Sequence, residues 1–455
     1  MEKFIGVVNA WVWGPPLLIF LVIVGVYLTI CTRGVQFRYF GYAHKLAFSR
    51  HDDNAKGDIS HFEALMTCLA ATIGIGSITG VATAISIGGM GAVFWMWVSA
   101  LFGMATKYAE AILAIKYREV DSNGLMCGGP MYYLEKGLKS KFLGVTFAIL
   151  ASGAAFGIGN LVQANSVAIA MQDMCHVSPN VTGLVLMVLV GIALLGGIKS
   201  IGKISSYLVP AMASFYIITG LIVVFARIEF VPAAFKLIFT SAFKGQAAFG
   251  GFVGATIMSA IRLGFSRGIF SSEAGLGSSP IAAAAAKTDT PGRQALISMS
   301  SVFLTTGIVC TITALAIAVT GVLGVVDSAG NALIGPSLVL KAFDSVIPFG
   351  GILVTVALIP FAFSTILGWA YYGEKSMEYL LGVKAVIPYR ILFIVMVFPG
   401  AALSLNVVWG FANVMNGLMA IPNLIGLFFL AGVVAKETRH FDGIVREERR
   451  LKKKR

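Results

Sequence analysis

Long hydrophobic runs dominate this chain and constrain what it can fold into. A helix that crosses the hydrocarbon core of a bilayer needs about 20 predominantly apolar residues. Eleven segments of roughly that length carry their charges mainly at the ends, near 12–31, 61–92, 93–117, 143–172, 181–197, 204–226, 248–286, 294–325, 349–372, 386–409 and 411–435. The sequence therefore predicts an all-α polytopic membrane protein with eleven spans.

Composition excludes the soluble classes of protein. Of the 455 residues, 57% are hydrophobic and 12% are charged, whereas a soluble domain is about 45–50% apolar and about 25% charged. Disorder is excluded too, because disordered chains are poor in hydrophobic residues. A signal peptide is the alternative for the first segment, but its apolar stretch is long and a basic loop follows it, so we expect a true span.

The distribution of Lys and Arg predicts the orientation of the chain. With eleven spans the termini lie on opposite sides, and 27 of the 34 Lys and Arg residues fall in the loops that share a side with the C-terminus. Positive residues concentrate on the cytoplasmic side of membrane proteins. We therefore expect a plasma-membrane protein with its N-terminus outside and its C-terminus inside. The basic tail 436–455 is interpreted as a solvated topology anchor, with binding of anionic membrane lipid or of nucleic acid as the alternative.

The positions of the cysteines and histidines do not indicate a metal, haem or proton-relay site. The five cysteines are scattered without CxxC spacing, and the five histidines lie in loops or at span ends. No metal site, haem ligand pair or buried histidine relay follows from such a pattern. The sequence therefore predicts no cofactor and argues against an enzyme and against a proton pump.

Two hydrophobic segments are too long for one straight helix. The segment 61–92 has 32 residues, which as a helix would measure about 48 Å against a hydrocarbon core of about 30 Å. Gly74-Ile75-Gly76-Ser77 lies in its middle and predicts a break, because glycines release the backbone. In the segment 248–286 we expect a second break at Leu263-Gly264-Phe265-Ser266-Arg267-Gly268.

A glycine-interrupted segment that opens each half of the chain is typical of an inverted-repeat transporter. We expect an extra N-terminal helix and loop over 1–60, repeats over 61–228 and 248–435, and an extracellular connection over 229–247. A weak echo of Gly74-Ile75-Gly76-Ser77 occurs in Gly275-Leu276-Gly277-Ser278. Close helix packing is the alternative role for glycines in membranes, although for Gly74 and Gly76 we favour a functional one.

Several stretches resemble a known family. Residues 88–103 read GGMGAVFWMWVSALFG and closely resemble the signature of the sodium:alanine (glycine) symporter family. Further stretches that resemble the family are GMATKYAEAILAIKYRE (103–119), GGPMYYLEKGL (128–138), SRGIFSSEAGLGSSPIAAAAAKTDTP (266–291) and FAFSTILGWAYYGEKSMEYL (361–380). The resemblance implies a leucine-transporter-type fold of ten core helices plus one, which imports alanine or glycine with Na⁺.

One departure from the family affects the ion sites. Members commonly read GTGN at the first break, where this chain has Gly74-Ile75-Gly76-Ser77. In the wider fold that asparagine can bind a second sodium ion beside the substrate. The presence of Ser77 therefore leads us to expect one sodium site.

A zwitterionic amino acid inside a membrane needs donors for its carboxylate and acceptors for its ammonium group. In the turn Gly74-Ile75-Gly76-Ser77, the N–H groups of Ile75, Gly76 and Ser77 are candidates to bind the carboxylate. If the helix is broken within residues 259–265, the backbone carbonyls that the break releases, beginning at Ser259, are candidates to bind the ammonium group.

The fourth span carries polar side chains in an apolar setting. Asn160 and Gln163 are three residues apart, a spacing that places them on one helix face, and both are candidate substrate contacts. Hydrogen bonding between helices is the alternative. Phe265 and Trp369 are candidates to cap the pocket and limit side-chain size, with packing as the alternative.

The sodium site is inferred from the wider fold. The resemblance implies ligands from the carbonyls of Ala70, Ile73 and Phe361 and from the hydroxyls of Ser364 and Thr365. A Ser-Thr pair is also common in ordinary helices, where each hydroxyl bonds a carbonyl one turn back.

A few charges lie within the spans, where they are costly unless paired or hydrated. For Lys107 and Glu110 we favour a static pair that fixes helix geometry. Arg262, Arg267 and Glu273 are candidate gating residues on the cytoplasmic side, with an Arg267–Glu273 pair that forms or breaks as the cavity opens.

The sequence and the resemblance together predict Na⁺ symport of alanine or glycine by alternating access. A proton-coupled or exchange-mode amino-acid carrier is the closest alternative, but it requires a titrating group near the site, and we expect no carboxylate at the breaks. A channel would show a repeated filter or a charged ring. An intramembrane enzyme would show a Ser/His, HExxH or paired-Asp constellation.

Overall fold

The structure is a computed structural model that describes residues 2–47, 55–245, 256–327 and 330–454. These residues are almost wholly helical. The helices up to the middle of the chain are α1 Glu2–Val12, α2 Pro15–Cys31, α3 Val35–Arg38, α4 Phe40–Ala47, α5 His61–Thr72, α6 Thr79–Gly88, α7 Gly91–Lys116, α8 Pro130–Lys136, α9 Lys141–Ala154, α10 Val162–Cys175, α11 Pro179–Leu194, α12 Gly197–Ala226 and α13 Val231–Lys244. The later helices are α14 Ile257–Ser272, α15 Pro280–Ala284, α16 Pro291–Val302, α17 Thr311–Thr320, α18 Gly335–Asp344, α19 Gly350–Leu381, α20 Val386–Ala402 and α21 Leu405–Lys454.

Shorter elements join these helices. The 3₁₀ turns are Ile75–Ser77, Ile228–Phe230 and Val383–Ala385, and the π-helical segments are Ala155–Leu161 and Phe303–Cys310. One antiparallel hairpin pairs β1 Glu119–Val120 with β2 Met126–Cys127. The π segments make α9–α10 and α16–α17 two continuous helices that each bulge in the middle.

In the part of the chain that the structure describes, eight helices are long and apolar enough to cross a membrane, and nine when the bent pair α5–α6 counts as one. The shorter α11 and the interrupted pair α14–α15 lie where two further spans are expected. Each of the eleven hydrophobic segments therefore contains helix, as the sequence predicts.

The first long segment is broken where its glycines lie. Ser60 and Glu63 form a capping box that starts α5, and α5 ends at Thr72. The chain then passes through the 3₁₀ turn Ile75–Ser77 and bends by 61° into α6. The predicted break at Gly74-Ile75-Gly76-Ser77 is confirmed.

The second long segment is broken later than expected. The helix α14 runs without interruption through 263–268, so the expectation of a break there is wrong. It ends at Glu273, which has a left-handed φ of 56°, and Gly275 and Gly277 continue with φ values of 90° and 79°. Glycine adopts such angles without strain. The two echoing motifs therefore lie at the two breaks.

The inner glycines of α14 serve packing instead. A Cβ atom on Gly264 would lie 2.5 Å from the Ala92 carbonyl oxygen, and one on Gly268 would collide with the Ser99 hydroxyl of α7. These glycines let α14 lie close along α7, as small residues do between membrane helices.

The broken helices meet at the end that lies nearer the C-terminal tail. The chain around Ile59 pairs in parallel with Ala286. Within this pairing, the Asp58 N–H donates to the Ala285 carbonyl at 2.8 Å and the Lys287 N–H donates to the Ile59 carbonyl at 2.8 Å. The start of α5 and the end of α15 are thus joined at one face of the protein.

The regions outside the predicted repeats are also ordered helix. The predicted connection 229–247 contains α13, which packs on α7, where the Trp95 indole N–H donates to the Ala242 carbonyl at 3.3 Å. The predicted tail 436–455 continues α21 to Lys454. In it, Asp442 accepts from Tyr39 at 2.7 Å and Glu448 accepts from Arg293 at 2.7 Å. These contacts hold one face of the tail against the protein as far as Glu448, whereas its basic side chains Lys436, Arg439 and Arg446 are exposed.

Candidate functional site

The first break lies against three other helices. A Cβ atom on Gly74 would collide with Oγ1 of Thr365 in α19 and would lie 3.4 Å from Oε1 of Gln163 in α10. A Cβ atom on Gly76 would lie 2.8 Å from Cδ1 of Phe270 in α14. Because no larger residue fits, the two glycines bring bare backbone into contact with these side chains.

The backbone donors of this turn differ partly from expectation. The Ser77 N–H donates to the Gly74 carbonyl at 3.1 Å, so the expected free N–H of Ser77 is wrong. The N–H groups of Ile75 and Gly76 begin a one-turn 3₁₀ helix and have no acceptor within it. They remain the candidates to bind a carboxylate. The Ser77 hydroxyl instead lies 2.9 Å from the Ser271 hydroxyl, across the two broken helices.

Four of the five expected sodium ligands lie together. The Thr365 hydroxyl is 3.0 Å from the Ala70 carbonyl oxygen and 2.9 Å from that of Phe361. The Ser364 hydroxyl is 3.4 Å and 3.1 Å from the same two oxygens. Ile73, the fifth expected ligand, directly follows α5 and is buried. An oxygen cluster of this kind suits a hard cation such as Na⁺, which carbonyls at a helix break and hydroxyls can coordinate.

The two polar residues of the fourth span contact different neighbours. The Asn160 side-chain amide donates to the Phe393 carbonyl of α20 at 2.5 Å, which is the helix-to-helix role given above as the alternative. Gln163 donates to the Ile158 carbonyl at 2.8 Å and directs Oε1 toward Gly74. The expectation of a shared contact face is wrong, because Asn160 lies in the π segment Ala155–Leu161, where the spacing of an α-helix does not hold.

The two aromatic candidates, Trp369 on α19 and Phe265 on α14, face different neighbours. Trp369 is fully buried against Gly159, where a Cβ atom would collide with it. Phe265 packs against Trp95 of α7, with ring centroids 6.2 Å apart. Its expected position over the pocket is wrong, because α14 is unbroken there and directs Phe265 toward α7.

A different aromatic pair covers the first break. Phe270 packs on Gly76 and stacks on Trp409 of α21, with ring centroids 5.1 Å apart. Sequence reasoning missed both residues. The signal for Phe270 was its position directly before Ser271-Ser272-Glu273, where the helix ends, and none marked Trp409.

The second break is held by a lysine and a carboxylate from α7. The Lys107 ammonium group donates to the Ser272 carbonyl at 2.8 Å, at the end of α14. One Glu110 oxygen accepts from the N–H groups of Gly275 and Gly277, at 3.0 and 3.1 Å. It also accepts from Asn423 of α21 at 2.7 Å. Lys107 and Glu110 thus fix helix geometry as expected, but through the break rather than as a direct pair.

Carboxylates therefore lie at the second break, and the expectation of none at the breaks is wrong. Glu273 begins the break and accepts from the Ser278 hydroxyl at 2.7 Å. Both Glu110 and Glu273 are fully buried. The sequence analysis named both residues but did not place them at the second break, because it expected the break before Glu273 and could not bring α7 beside it.

The gating candidates are arranged differently from expectation. Arg267 donates to Oδ1 of Asn413 in α21 at 3.2 Å and lies over the Trp409 ring. In the described residues Arg267 and Glu273 form no ion pair, so a pair that forms or breaks as the cavity opens stays a prediction. Asn413 in turn accepts at its carbonyl from the Trp13 indole at 2.8 Å. Arg267 therefore lies near the N-terminal helices.

Ser259 lies far from the first break. It is in the first turn of α14, where its hydroxyl donates to the Thr256 carbonyl at 2.8 Å. Because α14 is helical from Ile257 on, the carbonyls of 259–265 are used within the helix. The expected ammonium site there is wrong.

Two broken helices, the first of which meets the continuous helix α19 at an oxygen cluster, are typical of an ion-coupled secondary transporter of the leucine-transporter type. Solved structures agree on the fold. The structure of MhsT in complex with L-phenylalanine superposes with a TM-score of 0.58 at 15% identity, covering 84% of this chain and 98% of that one. A Na⁺-coupled sialic acid symporter in its substrate-bound outward-open state gives a TM-score of 0.52 at 13% identity, with 95% and 86% covered.

The chain belongs to the sodium:alanine symporter family, whose model matches residues 1–455. Among its relatives is the sodium/alanine symporter AgcS of Methanococcus maripaludis, which is 54% identical over 98% of this chain and 98% of that protein. The protein is thus a Na⁺-coupled amino-acid symporter and not an enzyme.

Proposed function

We propose that this symporter imports alanine and glycine together with Na⁺ by alternating access. One observation carries the proposal most directly. The Thr365 hydroxyl lies within hydrogen-bond distance of the Ala70 carbonyl and directly against Gly74. An ion bound at this hydroxyl and a substrate bound at the glycine turn would share one wall, so that each stabilises the other.

The substrate carboxylate would bind the N–H groups of Ile75 and Gly76. These groups lie at the start of a helical turn that leads into α6, and the positive end of the helix dipole favours a negative charge there. The ammonium group would find an acceptor in Oε1 of Gln163, which is buried without a hydrogen-bond partner and lies near Gly74. Carbonyls freed by the break at 273–279 supply further acceptors.

The crowding around the first break favours a small substrate. Phe270 covers Gly76, and Thr365 fills the space beside Gly74. A methyl group is a modest addition to such a space, whereas a branched side chain requires neighbouring groups to move. The name of the AgcS relative, a sodium/alanine symporter, supports the same substrate class.

A bound sodium ion would link α5 to α19. Its ligands come from the end of the broken helix α5 and from the continuous helix α19. A bound ion holds α5 against α19, and its loss leaves α5 free to move about the glycine turn. That is the movement alternating access requires.

The membrane orientation is part of the proposal. The excess of Lys and Arg on the side of the C-terminus supports an extracellular N-terminus, a cytoplasmic C-terminus and a location in the plasma membrane. The basic end of the tail would contact anionic lipid.

Proton coupling is the second candidate, favoured by the buried carboxylates of Glu110 and Glu273. We assign Glu110 to structure instead, because one of its oxygens accepts three hydrogen bonds that hold the second break. Replacing the Glu110 carboxylate would therefore weaken the end of α14 whether or not the protein transports protons.

Competition in proteoliposomes tests the substrate class. Uptake of radiolabelled alanine under an inward Na⁺ gradient is measured with an excess of unlabelled alanine, glycine, valine, glutamine or phenylalanine. We expect alanine and glycine to suppress uptake strongly and the larger amino acids to have little effect. Equal suppression by glutamine or phenylalanine would contradict the proposed substrate class.

A further inference from the structure

Apart from the site at the first break, a polar cavity lies between the N-terminal helices and the start of α14. Its volume is about 450 Å³. Its polar lining consists chiefly of Asn9, Arg262, Ser266, Arg267 and Asn413. None of the substrate or sodium candidates at the first break lines it.

Positive charge without a carboxylate partner distinguishes this cavity. Arg267 is only 7% exposed, and its guanidinium carbon lies 4.6 Å from the centre of the Trp409 ring. Its Nη1 donates to Asn413, while its Nε is buried without a partner. Among the side chains that the structure describes, none forms an ion pair with Arg267 or with Arg262.

Among the described residues that line the cavity, none is an Asp or a Glu that could neutralise the two arginines. Two guanidinium groups that line one cavity repel each other, and an unpaired charge in a membrane protein is costly unless water or an anion compensates it. The lining therefore suits a small anion.

The cavity is separated from the first break by two aromatic rings. Arg267 lies over Trp409, Trp409 stacks on Phe270 at 5.1 Å, and Phe270 packs on Gly76. Only the rings of Trp409 and Phe270 would thus separate a molecule in the cavity, beside Arg267, from the glycine turn. Movement of these two rings would connect the two places.

We propose that this cavity is a docking site for the carboxylate of the incoming amino acid, held by Arg262 and Arg267 before the substrate passes the Phe270–Trp409 pair. The inference rests on the proposed function, since it assumes an amino-acid substrate that arrives from the N-terminal side. Chloride shares the required chemistry, a small monovalent anion, so the experiment distinguishes the two sources.

The test uses Arg262→Gln, because Arg262 is only partly buried and lines the cavity. Arg262→Lys keeps the charge, and Arg227→Gln removes the same charge from an exposed position at the end of α12. Uptake of radiolabelled alanine in proteoliposomes is measured at fixed Na⁺. Propionate, which has a carboxylate but no ammonium group, serves as the competing probe.

We expect Arg262→Gln to raise the KM for alanine about tenfold with little change in kcat, because charged clefts raise local ligand concentration and association rates by about 10–10³. Propionate should inhibit the wild type competitively, inhibit Arg262→Gln far less, and inhibit Arg262→Lys and Arg227→Gln as it does the wild type. Size-exclusion profiles check that each variant folds.

Three results would overturn the inference. Equal propionate inhibition of Arg262→Gln and wild type would place the carboxylate at the glycine turn alone. An unchanged KM in Arg262→Gln would remove the docking role. A KM that responds to chloride exchanged for sulfate at fixed Na⁺, with no effect of propionate, would assign the cavity to chloride. Absence of alanine uptake by the wild type would instead contradict the proposed function itself.

Discussion

The Thr365 hydroxyl lies 3.0 Å from the carbonyl oxygen of Ala70, although the two residues are 295 positions apart in the chain. This contact joins the end of α5, where the first break begins, to the middle of α19. It places a side-chain oxygen beside a carbonyl that the break releases from its helix. In the proposed mechanism, Thr365 is the residue through which ion binding controls the position of α5.

Thr365→Val should weaken Na⁺ binding more than it weakens folding. Valine keeps the shape of the side chain but removes the oxygen, and loss of a hydrogen-bond or ligand partner of a charged group costs about 1.5–3 kcal/mol. The Na⁺ concentration for half-maximal alanine uptake should therefore rise about ten- to hundredfold.

The matched control for this variant is Thr355→Val on the same helix. The Thr355 hydroxyl is also buried and donates to the Gly351 carbonyl at 2.9 Å, but within the described residues it bonds to neither break. Its Na⁺ dependence should match that of the wild type. Equal Na⁺ dependence in the two variants would remove Thr365 from the ion site.

Gly74→Ala should abolish transport. The added Cβ atom would collide with the Thr365 hydroxyl, so either the turn or α19 must move at the point where ion and substrate bind. Gly80→Ala is the control, because its Cβ atom would lie 3.9 Å from Cδ of Arg267, an ordinary contact distance. Alanine uptake per folded transporter should be lost in the first variant and kept in the second, and a fully active Gly74→Ala would contradict the crowded site.

The first break could be predicted from sequence because two signals coincide in it. The segment is too long for one helix, and Gly74 and Gly76 lie in its middle. In the segment 248–286 excess length and glycines are also present, but the glycines have two different roles. Gly264 and Gly268 serve contact with α7, whereas Gly275 and Gly277 supply the positive φ angles of the break. Sequence alone does not distinguish a glycine that packs from one that turns.

Contacts between distant segments explain the other differences from expectation. Glu110 reaches the second break only because α7 lies along α14, and Asn423 joins it from α21. The π segment Ala155–Leu161 changes the face on which Asn160 lies. The contact between Ala70 and Thr365, by contrast, could be predicted because the resemblance placed both residues in one expected sodium site.

Glu110 and Asn423 should act as a unit. Asn423 donates to Glu110 at 2.7 Å and also to the Gly275 carbonyl at 2.9 Å. Glu110→Gln and Asn423→Leu should each lower the thermal stability of the purified protein and the rate of uptake. Because residues in one hydrogen-bond network couple by about 0.5–3 kcal/mol, the double variant should lose less than the sum of the two. Additive losses in melting temperature would contradict the shared support of the second break.

Arg118→Gln should open the face at which the broken helices are joined. The Arg118 guanidinium donates to the carbonyls of Ala284 and Ala286 at 3.0 and 2.8 Å, and to that of Lys56 at 2.9 Å. Burial lowers the pKa of Arg118, opposed by nearby Asp58, but the group stays charged. Its loss removes three hydrogen bonds that hold the start of α5 to the end of α15.

Labelling of Cys68 measures this opening. Cys68 is buried in α5 and its thiol lies 3.8 Å from the Ser301 hydroxyl of α16. Maleimide should modify Cys68 several-fold faster in Arg118→Gln than in the wild type, as read by mass spectrometry. The exposed Cys175 serves as internal control, and Arg439→Gln, on the exposed surface of α21, as matched variant. Equal Cys68 labelling in Arg118→Gln and Arg439→Gln would remove Arg118 from the closure.

The central claim is that Na⁺ drives the uptake of a small neutral amino acid. The most direct measurement is uptake of radiolabelled alanine into proteoliposomes on which an inward Na⁺ gradient or an inward H⁺ gradient is imposed separately. We predict accumulation above equilibrium with the Na⁺ gradient at equal pH, and none with the H⁺ gradient in the absence of Na⁺. Accumulation that follows the pH gradient and is indifferent to Na⁺ would contradict the claim and assign the coupling to the buried carboxylates of the second break.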